Sequence, residues 1–150
     1  MRRDYVTLNV RDAAVDGDER PTAELTFDGP AALIEESLDD ADGDRLDADR
    51  VDVAFRFQTA TDADDAAGVL SLTNRVTGDF LVEVNADADP ILDLVSAARR
   101  TNTGDESRYR ITVSRDDETV AVFEKRTLLV YDEAGSLLRQ HSLIPSGVEL

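Results

Sequence analysis

Val51, Val53, Phe55 and Phe57 alternate with Asp52, Ala54 and Arg56. Successive side chains of an extended chain point to opposite faces, so this spacing places four apolar groups on one side of a strand. The same two-residue period recurs at Val6, Leu8 and Val10, at Ala23, Leu25 and Phe27, and at Tyr109, Ile111 and Val113. Apolar residues that come in short alternating bursts are buried by a sheet, because a helix would need them every third or fourth position. Turn-forming and acidic segments separate the bursts: Asp16-Gly17-Asp18-Glu19, and loops over residues 39–49 and 59–67.

Helical spacing is confined to two places. Asp28-Gly29-Pro30 reads as a helix start with Pro in the first turn, and Leu33, Ile34 and Leu38 then share a face. Asp87-Ala88-Asp89-Pro90 opens a second helix, whose stripe is Ile91, Leu94, Val95 and Ala98 and whose end carries Arg99-Arg100 against the helix dipole. Between them, residues 68–85 form a hairpin. Gly78 suits the left-handed position after a type I turn, which pairs Asn74 with Phe80, Leu72 with Val82 and Leu70 with Val84, and sends Ser71 and Glu83 to the other face. Residues 107–115 and 119–132 read as strands about a turn at 116–118, the second long and bulged near Glu124–Arg126. A turn from Asp132 to Gly135 returns the chain over 136–144.

These elements predict an α+β fold: a single domain with a mainly antiparallel sheet of about eight strands, two helices on one face and a C-terminal β-meander. Strand–strand–helix–strand occurs twice, at 4–58 and 68–115. A duplicated ββαβ unit would explain this, and so would shared turn chemistry. A length of 150 residues fits one domain, and 41% hydrophobic residues suffice for a core.

The chain has 33 acidic and 16 basic residues, a formal net charge of -17. Of the acids 23 are Asp, and of the bases 15 are Arg, leaving Lys125 as the one lysine. At about 1 M salt the Debye length is about 3 Å and repulsion between surface carboxylates is screened. The same charge in dilute buffer opposes the compact state. The composition therefore points to the cytoplasm of an organism that balances external salt with internal salt. Arg2-Arg3 is followed by Asp4 and no apolar stretch, so it is not read as a twin-arginine export signal. No apolar run approaches the ~18 residues of a membrane span.

Composition also excludes chemistries. There is no Cys, hence no disulfide, thiolate metal site or thiol catalysis, and the one His, His141, excludes any two-histidine site. Asp39-Asp40-Ala41-Asp42-Gly43-Asp44 looks like a calcium loop, but counting back from Gly43 puts Leu38 at the first ligand position, so Asp40, Asp42, Asp44 and Asp47 read as a solvated loop. No nucleophile elbow or glycine-rich phosphate loop is present. His141 and Ser142 are neighbours that a strand would point apart, so His141 reads as structural. The arginines between Arg99 and Arg139, with Lys125, have few stacking aromatics among them, only Tyr109, Phe123 and Tyr131, and Tyr109 falls on the opposite strand face from Arg108 and Arg110, which argues for ion pairing over nucleic-acid binding. The sequence names no catalytic residue, metal or cofactor.

Charge along the chain is uneven. Residues 1–98 carry 24 acids and 8 bases, while residues 99–150 carry 9 and 8. In that nearly neutral third the last hairpin is apolar on both faces: Leu128, Val130, Leu138 and Ile144 on one, Leu129, Tyr131 and Leu137 on the other. A second layer covers both faces, or one face is kept for a partner. The tail, residues 144–150, docks on its own domain or adds to a neighbour's edge.

The segments LLVYDEAGSLLRQHSLIPSGVEL (128–150) and RVTGDFLVEVNADAD (75–89), with the start MRRDYVTLNV, resemble an uncharacterised haloarchaeal family over the whole chain. That resemblance implies a domain of unknown function and brings no activity, ligand or site residue. The residues themselves favour a non-enzymatic interaction domain whose protein partner or second copy meets Leu129, Tyr131, Leu137, Arg139 and His141. The alternative is a small-molecule-binding protein or enzyme with a sheet–helix pocket at Tyr131, Arg139 and His141. A weaker alternative is nucleic-acid association.

Overall fold

The computed structural model describes residues 6–11, 21–30, 38–39, 46–100 and 109–144. The alternating segments form β1 (Val6–Arg11), β2 (Thr22–Phe27), β3 (Val51–Phe57), β4 (Ala67–Asn74), β5 (Phe80–Asp87), β6 (Tyr109–Arg115), β7 (Glu118–Lys125) and β8 (Leu129–Tyr131). One α-helix, α1 (Ala88–Arg100), stands among the described residues.

The expectation of one, mainly antiparallel sheet of about eight strands is corrected. The strands make two four-stranded sheets, ordered β1-β2-β6-β7 and β5-β4-β3-β8. Each is mixed: β2 and β6 run parallel, as do β3 and β8, and the other pairs are antiparallel. Alternation states which face of a strand is buried and is silent on which strand lies beside it. The pair of helices on one face is corrected as well. The predicted first helix falls mostly on residues 31–37, outside the described residues; Leu38 is seen, fully buried, its carbonyl accepting the Leu46 N–H at 2.9 Å. The stripe of α1, with Ala88, Ile91, Leu94, Val95 and Ala98, joins the inner residues of both sheets in one apolar cluster.

The duplicated unit is not supported by the pairing. The third strand of each expected repeat sits in the other repeat's sheet: β3 joins β4 antiparallel, and β6 joins β2 parallel. The two hairpins thus receive their third strands on non-equivalent sides and in opposite senses.

Inner faces follow the sequence pattern. Val51, Val53, Phe55 and Phe57 are buried, with Phe55 and Phe57 edge-to-face at 5.4 Å between ring centroids. Opposite them lie Leu70, Leu72, Val82 and Val84; the predicted pairs Leu72–Val82 and Leu70–Val84 are both present. Gly78 adopts φ +80°, as its turn requires. Nearer the turn a bulge displaces the register, so that Thr73 rather than Asn74 faces Phe80. The extra residue, Leu81, is buried, whereas Phe80 is 59% exposed on the outer face. At the β6–β7 turn, Asp116 and Asp117 both take positive φ, the geometry of a two-residue hairpin.

The predicted meander ends at β7. Residues 119–132 are not one strand: Ala121, Phe123 and Lys125 point inward, and then Leu128 and Val130 do. The buried phase slips from odd to even at Arg126–Thr127, where the chain leaves the first sheet and enters the second. The return segment is also not a strand. Tyr131 bridges Leu137 as a regular hairpin about the Asp132–Gly135 turn requires, but Leu128 bridges Leu143 rather than Gln140, and a 3-10 turn at Arg139–His141 takes up the three extra residues.

Candidate functional site

The residues singled out in the last hairpin divide between two settings. Leu129 and Tyr131 lie on the outer face of β8, beside Ala54 and Arg56 of β3. Leu137 is bridged to Tyr131, and all three side chains are half-buried, while Leu128 and Val130 behind them are fully buried. Arg139 and His141 stand in the 3-10 turn, Arg139 exposed and His141 half-buried. The strand alternation that would align them with Leu129 and Tyr131 is absent there.

The outer face of the second sheet extends in rows from β8 to β5. One row is Leu129, Ala54, Ser71 and Glu83; the next is Tyr131, Arg56, Val69 and Asn85. A third holds Asp52, Thr73 and the exposed Phe80. Val69 is buried although it belongs to this outer face. The face is thus an apolar band of Leu129, Tyr131, Ala54 and Val69 among polar and charged side chains. Arg75 pairs with Asp52 at 2.8 Å on its margin, and the Arg56 guanidinium donates to the Glu133 carbonyl at 3.2 Å.

What holds the hairpin end in place was not visible in the residue types. Ser142, read from sequence only as a neighbour of His141, is buried. Its Oγ accepts the Val130 N–H and donates to the Leu138 carbonyl, both at 2.8 Å. The hydroxyl does the work of a missing strand neighbour. From α1, Arg99 donates to the carbonyls of Gln140 and Ser142 at 2.7 and 2.6 Å, which ties the helix end to the same turn. Tyr109 is buried and donates to the Thr127 carbonyl at 2.6 Å, and its burial pushes the phenol well above its ordinary value.

Two further arginines of the 99–139 group are occupied by the protein. Arg110 pairs with Glu124 across the strands at 3.0 Å, and Arg115 reaches Asp116 and the Gly29 carbonyl. Lys125, grouped with them by sequence, is instead in the core, 7% exposed, donating from Nζ to the Val51 carbonyl at 2.5 Å. Its burial lowers its pKa, with Arg75 adding to the effect and Asp52 and Asp49 opposing it. The signal that could have found it is its uniqueness among 16 basic residues.

The sheet–helix pocket expected from the sequence rests on Tyr131, Arg139 and His141. A cleft of about 520 Å³ lies at the opposite edge of the second sheet, between β1 and β5, and none of those three residues lines it. Of the acidic calcium-loop residues, Asp40, Asp42 and Asp44 lie outside the described residues and Asp47 is exposed. Among the described residues no group of three or more His, Asp or Glu side chains is placed to hold a metal ion, and no helix is long and apolar enough to cross a membrane.

The chain belongs to a family of unknown function, DUF5793, whose profile matches residues 1–150. Neither the curated proteins nor the solved structures contain a match to it.

Proposed function

We propose that this DUF5793 chain is a non-enzymatic interaction domain that binds a protein partner on the outer face of its second sheet, centred on Leu129, Tyr131 and Leu137, with Arg139 and His141 at the margin. The observation that carries the reading is the half-burial of those three apolar side chains, directly outside a fully buried Leu128 and Val130. Apolar centres with polar margins are the usual anatomy of a binding face, and Ser71, Thr73 and Arg56 provide such a margin here. The charge composition supports a salt-rich cytoplasm as the setting, where a partner is met with long-range electrostatics screened and short-range apolar contact decisive.

The test is retention of a partner by the tagged chain, from cells and in molar KCl throughout, compared between the native chain and Leu129→Asp or Leu137→Asp. A charge buried without a partner in a contact centre is expected to weaken the complex by tenfold or more. Circular dichroism of the variants should be unchanged. If the variants unfold, the face is core; if they hold the partner as well as the native chain does, the contact lies elsewhere. Sedimentation of the purified chain identifies the case in which the partner is a second copy.

A further inference from the structure

The cleft between β1 and β5 has its own chemistry, and we propose that it binds a small organic cation, an ammonium or guanidinium on a short hydrocarbon stem. Its volume of about 520 Å³ is that of a small-molecule site. Leu8, Asn9 and Val10 line it from β1, and Asn85, Ala86 and Asp87 from β5. Alternation would send every second side chain of a strand away from a site on its face, so consecutive lining residues mean that the cleft opens along the two strand edges. Both strands are sheet edges. A peptide strand inserted between them would need roughly 9.6 Å, two spacings of about 4.8 Å. Cα atoms of β1 and β5 approach within 8 Å, so the seam is too narrow for a strand along its length and admits a compact molecule at the cleft.

Charge selects the class. Asp87 is the one ionised side chain among the described lining residues, and Asn9 and Gln58 add exposed carboxamides. Among the described lining residues an anion finds no basic group. The start of α1 gives it little either: the Ala88 N–H is taken by the Ala66 carbonyl, Pro90 has no N–H, and Asp89 already stands in the first turn. A cation finds the Asp87 carboxylate and the amide oxygens as acceptors, with Leu8, Val10 and Ala86 against its stem. In molar KCl that stem separates an organic cation from the competing potassium ion.

The experiment is titration of the full chain with agmatine, putrescine and phenethylamine, followed by calorimetry and by the side-chain amide signals of its nuclear magnetic resonance spectrum. In about 2 M KCl, which reduces the Debye length to a few ångströms, at least one amine is expected to bind with a Kd below about 1 mM. The Asn9 and Gln58 signals should move, and adenosine monophosphate should leave them still. Asp87→Asn is expected to weaken binding by tenfold or more and Gln58→Ala by several-fold, while Asp62→Asn, in an exposed loop, changes nothing. Failure of all three amines at about 20 mM, equal binding by the Asp87→Asn chain, or equal binding of the nucleotide overturns the assignment. β5 and β8 are opposite edges of their sheet, so Leu129→Asp should leave amine binding intact, which keeps this test separate from that of the protein contact.

Discussion

Lys125 places a primary ammonium in the core, where an arginine-rich chain has kept its one lysine. An ammonium is compact and aims one donor at the Val51 carbonyl, whereas a guanidinium is larger, planar and needs several acceptors. Lys125→Arg, although it follows the composition of the rest of the chain, is therefore expected to cost about 1–3 kcal/mol through overpacking and unmet donors, read as a lower urea midpoint in molar KCl. The titration of Lys125 has a defined sign. Its folded pKa lies below the ordinary 10.5, so between the two values the unfolded chain holds the proton that the folded chain has shed, and the contribution of this group to stability rises with pH. Tyr109 acts oppositely: its folded pKa lies well above 10.0, so its contribution is intact below that value and is lost as pH rises beyond it. Lys125→Met should remove the first trend and Tyr109→Phe the second, measured as urea midpoints from pH 8 to 11. Ser142→Ala leaves the buried Val130 N–H without its acceptor and is expected to cost about 1–3 kcal/mol. Its effect should concentrate in β8, as faster amide exchange at Val130.

At the scale of elements, the sequence makes strands legible where period two is clean, as at Val51–Phe57, and makes α1 legible from Ile91, Leu94, Val95 and Ala98. The β4–β5 register could be read because the Gly78 turn and the apolar pairs agree. Pairing between distant strands could not be read: a Val or Phe on a buried face fits beside any similar strand, parallel or antiparallel. The crossing from β7 to β8 did leave a trace, the shift of buried positions from odd residues to even ones between Lys125 and Leu128, but no Gly or Pro marks it. The apolar hairpin face was recognised from Leu129, Tyr131 and Leu137. The 3-10 turn that takes Arg139 and His141 out of alignment depends on the Ser142 hydroxyl and the Arg99 reach from α1, contacts that residue type does not announce. Gly68 shows the same limit. It reads as an unremarkable strand glycine, yet a Cβ there would lie 2.2 Å from the Arg56 carbonyl oxygen, where β4 presses against β3. Gly68→Ala is expected to spread that pairing at a cost of about 1–3 kcal/mol, seen as lost amide protection at Phe57 and Gln58. In contrast, Gly78→Ala meets open space and pays only for its left-handed backbone, about 1–2 kcal/mol.

For the whole molecule, the uneven charge along the chain does not become an uneven pair of sheets. The acidic first 98 residues supply β1 and β2 to one sheet and β3, β4 and β5 to the other, and the nearly neutral remainder supplies β6 and β7 to the first and β8 to the second. Each sheet is stitched from both parts, so unfolding either one separates strands from the two ends of the chain. Holding them together are the shared apolar cluster, the Lys125 bond to Val51 and the Arg99 bonds to Gln140 and Ser142. Against them works a net charge of -17, with Asp62, Asp64 and Asp65 exposed together in the β3–β4 connection. Both polar ties join cations to neutral carbonyls and are short, so salt screens them weakly, while the carboxylate repulsion acts over longer distances and is screened strongly. Falling salt therefore strengthens the opposition much more than it strengthens the ties. The expected outcome is cooperative unfolding on dilution from molar KCl toward about 50 mM, where the Debye length exceeds 10 Å, with the β-sheet circular dichroism signal lost and the urea midpoint declining before it. Replacing exposed loop acids, as in Asp62→Asn with Asp64→Asn and Asp65→Asn, should move the transition to lower salt without changing the fold. A chain that keeps its full signal at about 50 mM would show that the apolar cluster alone outweighs the charge, and the salt-rich cytoplasm would lose its physical argument.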